Sequence, residues 1–242
     1  GTVLGFAAIC AYARPVWLGW KRETATAVFA LCSLGLLFTQ SRQAIVGLGV
    51  ALLFVAFRSG LQRRRWTITL LAVVPALALV ATLVRDQIES GNQFNSVFQR
   101  ATWFGDTIAV WLDSLWVGQG LRFWYTGRTA VFFQPPNAEL EVLASAGLVG
   151  LAAFLVMMLG SLKVLWSLPA RYGTVAFAVV LSRLVQSQFD LFWVAGQVSI
   201  PFVVAGLAVG AASHDRSEAE PWSDVGVAPS RVAVGGPPGH GS

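Results

Sequence analysis

Charged residues are scarce in this 242-residue chain, at 12% of positions, whereas hydrophobic residues make up 55%. Mean hydropathy is +0.64, well above the balance that is typical of a water-soluble domain. One soluble core cannot absorb so many apolar side chains, so we expect the lipid bilayer to be the solvent for most of the chain. No nucleic-acid partner is expected.

Cysteine and histidine are also rare. The two cysteines, Cys10 and Cys32, both lie in apolar runs, and we interpret them as small buried side chains rather than as a disulfide or a metal site. The two histidines, His214 and His240, both lie in the polar C-terminal segment, so the rest of the chain has no imidazole. Neither a metal nor another cofactor is expected.

Several apolar runs approach the ~20 residues that a helix needs to cross the hydrocarbon core. We predict an all-α fold, a polytopic bundle of transmembrane helices, with spans at 24–40, 43–57, 66–84, 140–162, 173–189 and 194–212. The apolar segment 1–12 is too short to span and lacks the features of a signal peptide. We therefore expect the chain to begin inside a helix, with further spans upstream, and residues 1–212 to form one membrane domain.

The positions of lysine and arginine predict the orientation of this domain. Basic residues concentrate in alternate breaks between spans, which should face the cytoplasm: Arg14, Lys21, Arg22, Arg58, Arg63, Arg64, Arg65, Lys163 and Arg171. The opposite breaks include a long outer loop at 85–137. Residues 213–242 are polar and rich in Pro, Gly and Ser, which predicts a disordered cytoplasmic tail. We expect a multi-pass protein of the cytoplasmic (inner) membrane whose active face is extracytoplasmic.

The outer loop contains an amphipathic segment. Large apolar residues recur at helical spacing from Phe98 to Trp116, with Arg100, Asp106 and Asp113 between them. This pattern predicts a helix that lies in the membrane interface. Anchoring on the lipid headgroups would explain the helix, and so would gripping a lipid-linked substrate; both interpretations stay open.

Arginine supplies every positive charge predicted on the outer side. Arginine binds phosphate through paired N–H donors, which lysine cannot do. Arg42 lies between two spans with almost no loop around it. Its guanidinium either reaches the headgroups or faces a water-filled cavity and an anionic substrate. Arg183 lies inside a span, and Gln186, Gln188 and Asp190 follow it. It either forms a structural pair with Asp190 or takes part in the reaction.

The segment 134–141, QPPNAELE, leads from the outer loop into a span. Asn137 is a natural N-cap after the prolines, and Glu139 and Glu141 lie in the first turn, where the helix dipole favours negative charge. Capping alone would explain these residues. The alternative is that a carboxylate at the mouth of an outward cavity acts as general base toward a hydroxyl.

Taken together, these motifs resemble the C-terminal half of the O-antigen ligase and O-antigen polymerase family. Ser41-Arg42 opens a span, Arg100 precedes a Trp-rich segment, PNAELEVLASAGLVGL enters the next span, and QSQFDLF precedes the last one. The resemblance implies a membrane glycosyltransferase. It would transfer a glycan from undecaprenyl diphosphate to a hydroxyl of an acceptor glycan or lipid outside the cytoplasmic membrane, in an inverting reaction without a metal.

The resemblance also implies roles for individual residues. Arg42 and Arg100 match two family arginines that are thought to bind the donor diphosphate, and fixed guanidinium groups would stabilise the charge that grows on this leaving group. Secondary candidates for substrate contact are Arg122, Arg128, Asn137 and Arg183. Where the family has a histidine that is proposed to activate the acceptor, this chain has Pro136.

A carboxylate is the expected replacement for that histidine. We predict Glu139 first and Asp190 second as the catalytic group that takes the proton. The alternatives are that ionisation of the donor does most of the work, or that activity is lost. Two other functions therefore stay open: a transporter or flippase of lipid-linked or anionic solutes, and an inactive relative that acts as a binding component. Polar groups at one face, with Pro75 as the clear mid-span helix breaker, favour surface chemistry over transport.

Overall fold

The computed structural model describes residues 1–58, 63–89, 96–125, 134–194 and 196–219. Within these ranges the chain is all-α and contains no strand, which confirms the all-α part of the prediction. The described α-helices, in chain order, are α1 (Thr2–Ala13), α2 (Arg22–Phe38), α3 (Arg42–Arg58), α4 (Arg63–Glu89), α5 (Ser96–Leu112), α6 (Ala138–Ser167), α7 (Ala170–Gln186) and α8 (Ser199–Ala219).

Two of the described helical stretches are long and apolar enough to cross a membrane, Trp66–Glu89 in α4 and Ala138–Ser167 in α6. Large apolar side chains are exposed on several helices; Leu31 is 72% exposed, Leu71 is 70% exposed and Val156 is 73% exposed. Exposed apolar surface of this extent is typical of helices that face lipid or a partner rather than water. The other four predicted spans stay predictions.

Helices α3 and α7 run antiparallel in the centre of the bundle. At the start of α3, the Gln43 side chain donates a hydrogen bond to Asp190, just beyond α7, at 3.0 Å. At the end of α3, the Arg58 guanidinium donates to the Leu168 carbonyl, just before α7, at 2.9 Å. Helices α1 and α4 pack against α3, while α6 and α8 pack against α7. This arrangement gives the bundle two distinct ends.

Basic residues that the sequence analysis grouped on one side also lie at one end of the bundle. Arg58 donates to the carbonyls of Trp166, at the end of α6, and of Leu168, just after it. Arg171 pairs with Asp215 of α8 at 3.4 Å. Arg14 lies beside Arg171 around a small cavity. The grouping of these charges agrees with the predicted topology, while the side of the membrane that they face stays a prediction.

Several helix boundaries differ from the predicted ones. Helix α4 continues to Glu89 rather than ending at 84, and Arg85 and Glu89 form an exposed ion pair along its last turn. Helix α8 continues to Ala219, so residues 213–219 are helical and do not belong to a disordered tail. An ion pair of Asp215 with Arg171 holds this extension against α7. Residues 220–242 lie outside the described part of the chain.

Helix α5 covers most of the predicted amphipathic segment. It ends at Leu112, whereas the apolar pattern continues to Trp116. Thr107 and Val110 are buried, and α5 packs against α6. Ile108 is 42% exposed, so part of the apolar surface stays uncovered. The helix is confirmed, while its place in the membrane interface stays a prediction.

Helix α6 contains a break that the sequence analysis did not predict. Gly147 has φ 65° and ψ −165°, far from helical values. The freed amide of Leu148 donates to the carbonyl of Leu115 at 3.0 Å, so the segment that follows α5 fills the break. Pro75, the predicted breaker, lies inside the continuous helix α4. The break therefore attaches the outer segment to a helix that can span the membrane.

Candidate functional site

Polar side chains from α3, α4, α5 and the turn after α7 meet at the end of the bundle opposite Arg58. Arg42 donates a hydrogen bond to the side-chain oxygen of Gln87 at 2.7 Å, and Gln43 donates to Asp190. The charges of Arg42 and Asp190 both act on Arg100 of α5. We call these five residues, Arg42, Gln43, Gln87, Arg100 and Asp190, the arginine site.

Local backbone geometry explains the position of Arg42. Gln40 has φ 51°, a left-handed conformation that turns the chain sharply between α2 and α3. Arg42 is therefore the first residue of α3 and half-buried rather than fully exposed. The sequence analysis could place Arg42 at the start of a span, but no local signal pointed to Gln87, which lies at the far end of the next helix.

The arginine site carries an excess of positive charge. Burial lowers the pKa of the Arg100 guanidinium below its ordinary value; the nearby Asp190 carboxylate opposes this effect and Arg42 adds to it. Guanidinium groups stay protonated at physiological pH despite such shifts. Among the described residues, neither Arg42 nor Arg100 forms an ion pair. Two like charges held together in a partly dehydrated site favour binding of a polyvalent anion.

Asn137 and Glu139 lie beside this site, at the start of α6. The Asn137 side chain accepts a hydrogen bond from the Leu140 amide at 2.9 Å, which confirms the predicted N-cap. Gln188 donates to one Glu139 oxygen at 2.7 Å, and Asn137 donates to the Gln188 oxygen at 3.3 Å. The second Glu139 oxygen is buried and has no partner within the described ranges. Glu139 is thus oriented through one oxygen while the other can accept a proton.

Glu141 is a buried carboxylate for which the sequence left two interpretations open, a partner of the helix dipole and a general base. It is 5% exposed, and one of its oxygens accepts a hydrogen bond from Gln134. One turn further along α6, Ser145 accepts a hydrogen bond from the Trp124 indole at 3.1 Å. The i,i+4 spacing of Glu141 and Ser145 could have indicated a shared polar face. Nothing local predicted that Gln134 and Trp124 would cover that face.

Arg183 does not form the predicted ion pair with Asp190, although the carboxylate is near enough for its charge to act on the guanidinium. The side chain is only 1% exposed. It donates to the carbonyls of Leu191, at 2.7 Å, and of Phe192, and its guanidinium lies 5.0 Å from the centre of the Phe192 ring. These contacts hold the turn that carries Asp190 and leave little of the arginine surface for a substrate.

The remaining predicted contacts lie elsewhere. Arg122 is exposed, and no hydrogen bond or ion pair within the described residues connects its side chain to the arginine site. Arg128 lies outside the described part of the chain. Pro136, at the position of the missing histidine, is buried directly before Asn137. The structure therefore places Arg42 and Asp190 within electrostatic range of Arg100, while Asn137 and Glu139 contact Gln188, two residues before Asp190.

Comparison with known proteins identifies the same family that the sequence motifs resemble. A sequence model of the family described as O-Antigen ligase matches residues 27–155, just over half of the 242 residues. The matched region contains Arg42, Arg100 and Glu139 and ends before Asp190. No match was found among curated proteins.

Proposed function

The chain belongs to the O-antigen ligase family, and we propose on this basis that it transfers a glycan from an undecaprenyl-diphosphate carrier to an acceptor hydroxyl. The reaction takes place on the outer face of the cytoplasmic membrane and produces a ligated or polymerised cell-envelope polysaccharide. The acceptor is a second glycan or a lipid. The transfer is inverting and uses no metal.

Arg42 and Arg100 lie within electrostatic range of each other, and this observation carries the proposal. Diphosphate is both the anchor of the donor and the leaving group, so negative charge grows on it as the glycosidic bond breaks. Two guanidinium groups fixed at a poorly hydrated site stabilise this charge, with little reorganisation during the reaction. The hydrogen bond from Arg42 to Gln87 holds one of the two groups in place.

The contacts of the carboxylates favour Glu139 over Asp190 as the base. In an inverting transfer the acceptor approaches the anomeric carbon from the side opposite the diphosphate, so the base lies away from the arginines. Asp190 acts directly on Arg100 and accepts a hydrogen bond from Gln43. We therefore assign Asp190 to positioning within the arginine site. Glu139 takes the proton of the acceptor hydroxyl, the new glycosidic bond forms, and the bonding electrons of the old one leave with the diphosphate.

One observation favours the alternative of a transporter or flippase. Broken membrane helices often line transport sites, and α6 is broken at Gly147. In this chain, however, the freed amides of Leu148 and Val149 bond to the carbonyls of Leu115 and Trp116. The break is thus filled by protein rather than left open to a solute, and glycan transfer stays the preferred function.

The proposal is tested with the purified protein, a lipid-diphosphate glycan and an acceptor. We expect Arg42→Ala and Arg100→Ala each to reduce transfer about 100-fold or more, because each removes a donor to the leaving group. Arg85→Ala is the matched control, since Arg85 is exposed and pairs with Glu89 in the last turn of α4. It should retain full activity.

Three outcomes of this experiment are informative. Full activity in both Arg42→Ala and Arg100→Ala, with unchanged membrane insertion, would refute the proposed diphosphate site. Movement of the glycan lipid across a vesicle membrane without cleavage would support the transporter. Binding of the glycan lipid with no turnover by the wild-type protein would support an inactive, binding-only relative.

A further inference from the structure

A cavity of about 320 Å³ lies at the end of the bundle opposite the arginine site. It is lined by residues of α2 and α4, by the end of α1 and by Val55 of α3. The walls combine charged, hydroxyl-bearing and apolar side chains: Arg14, Arg22, Thr26, Phe29, Ile68 and Thr69. No residue assigned to glycan transfer lines this cavity.

Two arginines at the cavity have no neutralising partner among the residues that the structure describes. The side chains of Arg14 and Arg22 are exposed, and neither makes a hydrogen bond or an ion pair within the described ranges. None of the lining residues is acidic. Arg14 has φ 45°, because its amide caps α1 by bonding to the Cys10 carbonyl at 2.9 Å. This cap fixes the backbone position of Arg14. The positive charges of Arg14 and Arg22 together favour an anionic ligand.

The rest of the cavity suits a ligand that is polar at one end only. The hydroxyls of Tyr12 and Thr69 lie 2.5 Å apart in the wall, and the Tyr12 ring lies 5.6 Å from that of Phe29. Ile68 is 57% exposed at the edge, where the cavity meets the apolar surface of α4. A ligand with a charged group at the arginines would therefore place its other end on apolar side chains.

We propose that this cavity binds an anionic phospholipid of the surrounding bilayer. The phosphate lies between Arg14 and Arg22, and an acyl chain follows Phe29 and Ile68 toward the surface of α4. Arginine matches phosphate through paired N–H donors, and basic pockets between membrane helices are a known form of lipid recognition. A soluble phosphate would use only the charged half of the cavity, and for this reason we assign the site to a lipid.

Native mass spectrometry of the purified full chain in detergent tests this proposal. Phosphatidylglycerol and phosphatidylcholine are titrated separately against the wild-type protein and the double variant Arg14→Gln/Arg22→Gln. Each arginine near a lipid phosphate adds to the binding free energy. We therefore expect the double variant to bind phosphatidylglycerol about 10- to 30-fold more weakly. Both arginines are exposed, so the variant should fold normally, which its circular dichroism spectrum checks.

The control variant is Arg216→Gln, which removes an exposed charge of α8 that does not line the cavity. It should bind phosphatidylglycerol as the wild type does. Equal binding by the double variant, or equal binding of phosphatidylcholine to the wild type, would overturn the proposal. Competition by glycerol phosphate at the same concentration as the lipid would show a site for phosphate alone, and the assignment to a lipid would then be wrong.

Discussion

At the scale of single residues, three carboxylates lie at the proposed catalytic end and differ in their contacts. Asp190 interacts with Arg100 and Gln43, Glu139 accepts a hydrogen bond from Gln188, and Glu141 is buried beneath the outer loop. Glu139 and Glu141 each keep one buried oxygen without a partner among the described residues, but only Glu139 is oriented by a residue of the Asp190 turn. This difference supports Glu139 as the base.

We expect Glu139→Gln to reduce the rate of transfer about 100- to 10,000-fold and to leave donor affinity unchanged. The amide keeps the hydrogen bond from Gln188 but cannot take a proton. Steady-state kinetics with varied donor and acceptor measures both quantities. Glu89→Gln, at an exposed position of α4, serves as the control. Loss of activity in Glu141→Gln, with Glu139→Gln fully active, would move the catalytic role to Glu141.

Sequence alone was informative for residues with a strong local signature. Asn137 follows two prolines and precedes an apolar helix, so its N-cap could be predicted, and Arg42 was conspicuous between two apolar runs. Burial of Arg183 and Glu141 could not be predicted in the same way. It depends on the path of the chain beyond the helix, since the turn that contains Leu191 and Phe192 covers Arg183.

At the scale of elements, the break in α6 links the outer segment to the helix that presents Glu139. Gly147 has a positive φ, and a Cβ at this position would lie 2.2 Å from the backbone carbonyl carbon of Trp116. No larger residue fits unless the segment after α5 moves away. The glycine therefore fixes the segment that carries Trp116 against α6, close to the start of the helix.

Replacement of this glycine should disturb the contact measurably. We expect Gly147→Ala to lower the free energy of unfolding by about 1–3 kcal/mol, since alanine is strained at this φ and also meets the Trp116 backbone. Thermal unfolding in detergent provides the measurement. Gly160→Ala in the same helix is the control, because a Cβ there meets nothing within 4 Å. It should be neutral or stabilising, and an equal loss of stability in both variants would contradict this explanation.

At the scale of the whole molecule, the two ends of the bundle carry different sets of charged residues. One end carries the arginine site and the carboxylates. The other end carries Arg58 and two cavities that are lined by Arg14, Arg22 and Arg171. The antiparallel order of α3 and α7 makes this separation, because it places the start of one helix beside the end of the other. Basic residues favour the cytoplasmic side, which predicts that the arginine site faces outward.

Single cysteines introduced at the two ends should test this orientation in intact cells. With Cys10 and Cys32 replaced by alanine, we expect a membrane-impermeant maleimide to label Asp113→Cys from outside. Ser217→Cys, in the last turns of α8, should react only after the membrane is permeabilised. Both positions are exposed, so access to the reagent depends on the side of the membrane. The reverse pattern would place the arginine site in the cytoplasm.

The sequence by itself determined the all-α class, most helix positions, the motifs of the family and the grouping of basic residues. These properties follow from composition and from spacing along the chain, which act locally. Tertiary structure alone decided that Arg100 lies within electrostatic range of Arg42, that Arg42 donates to Gln87, and that residues after α5 fill the break at Gly147. Each of these depends on segments that are distant in the chain and meet only when the helices pack.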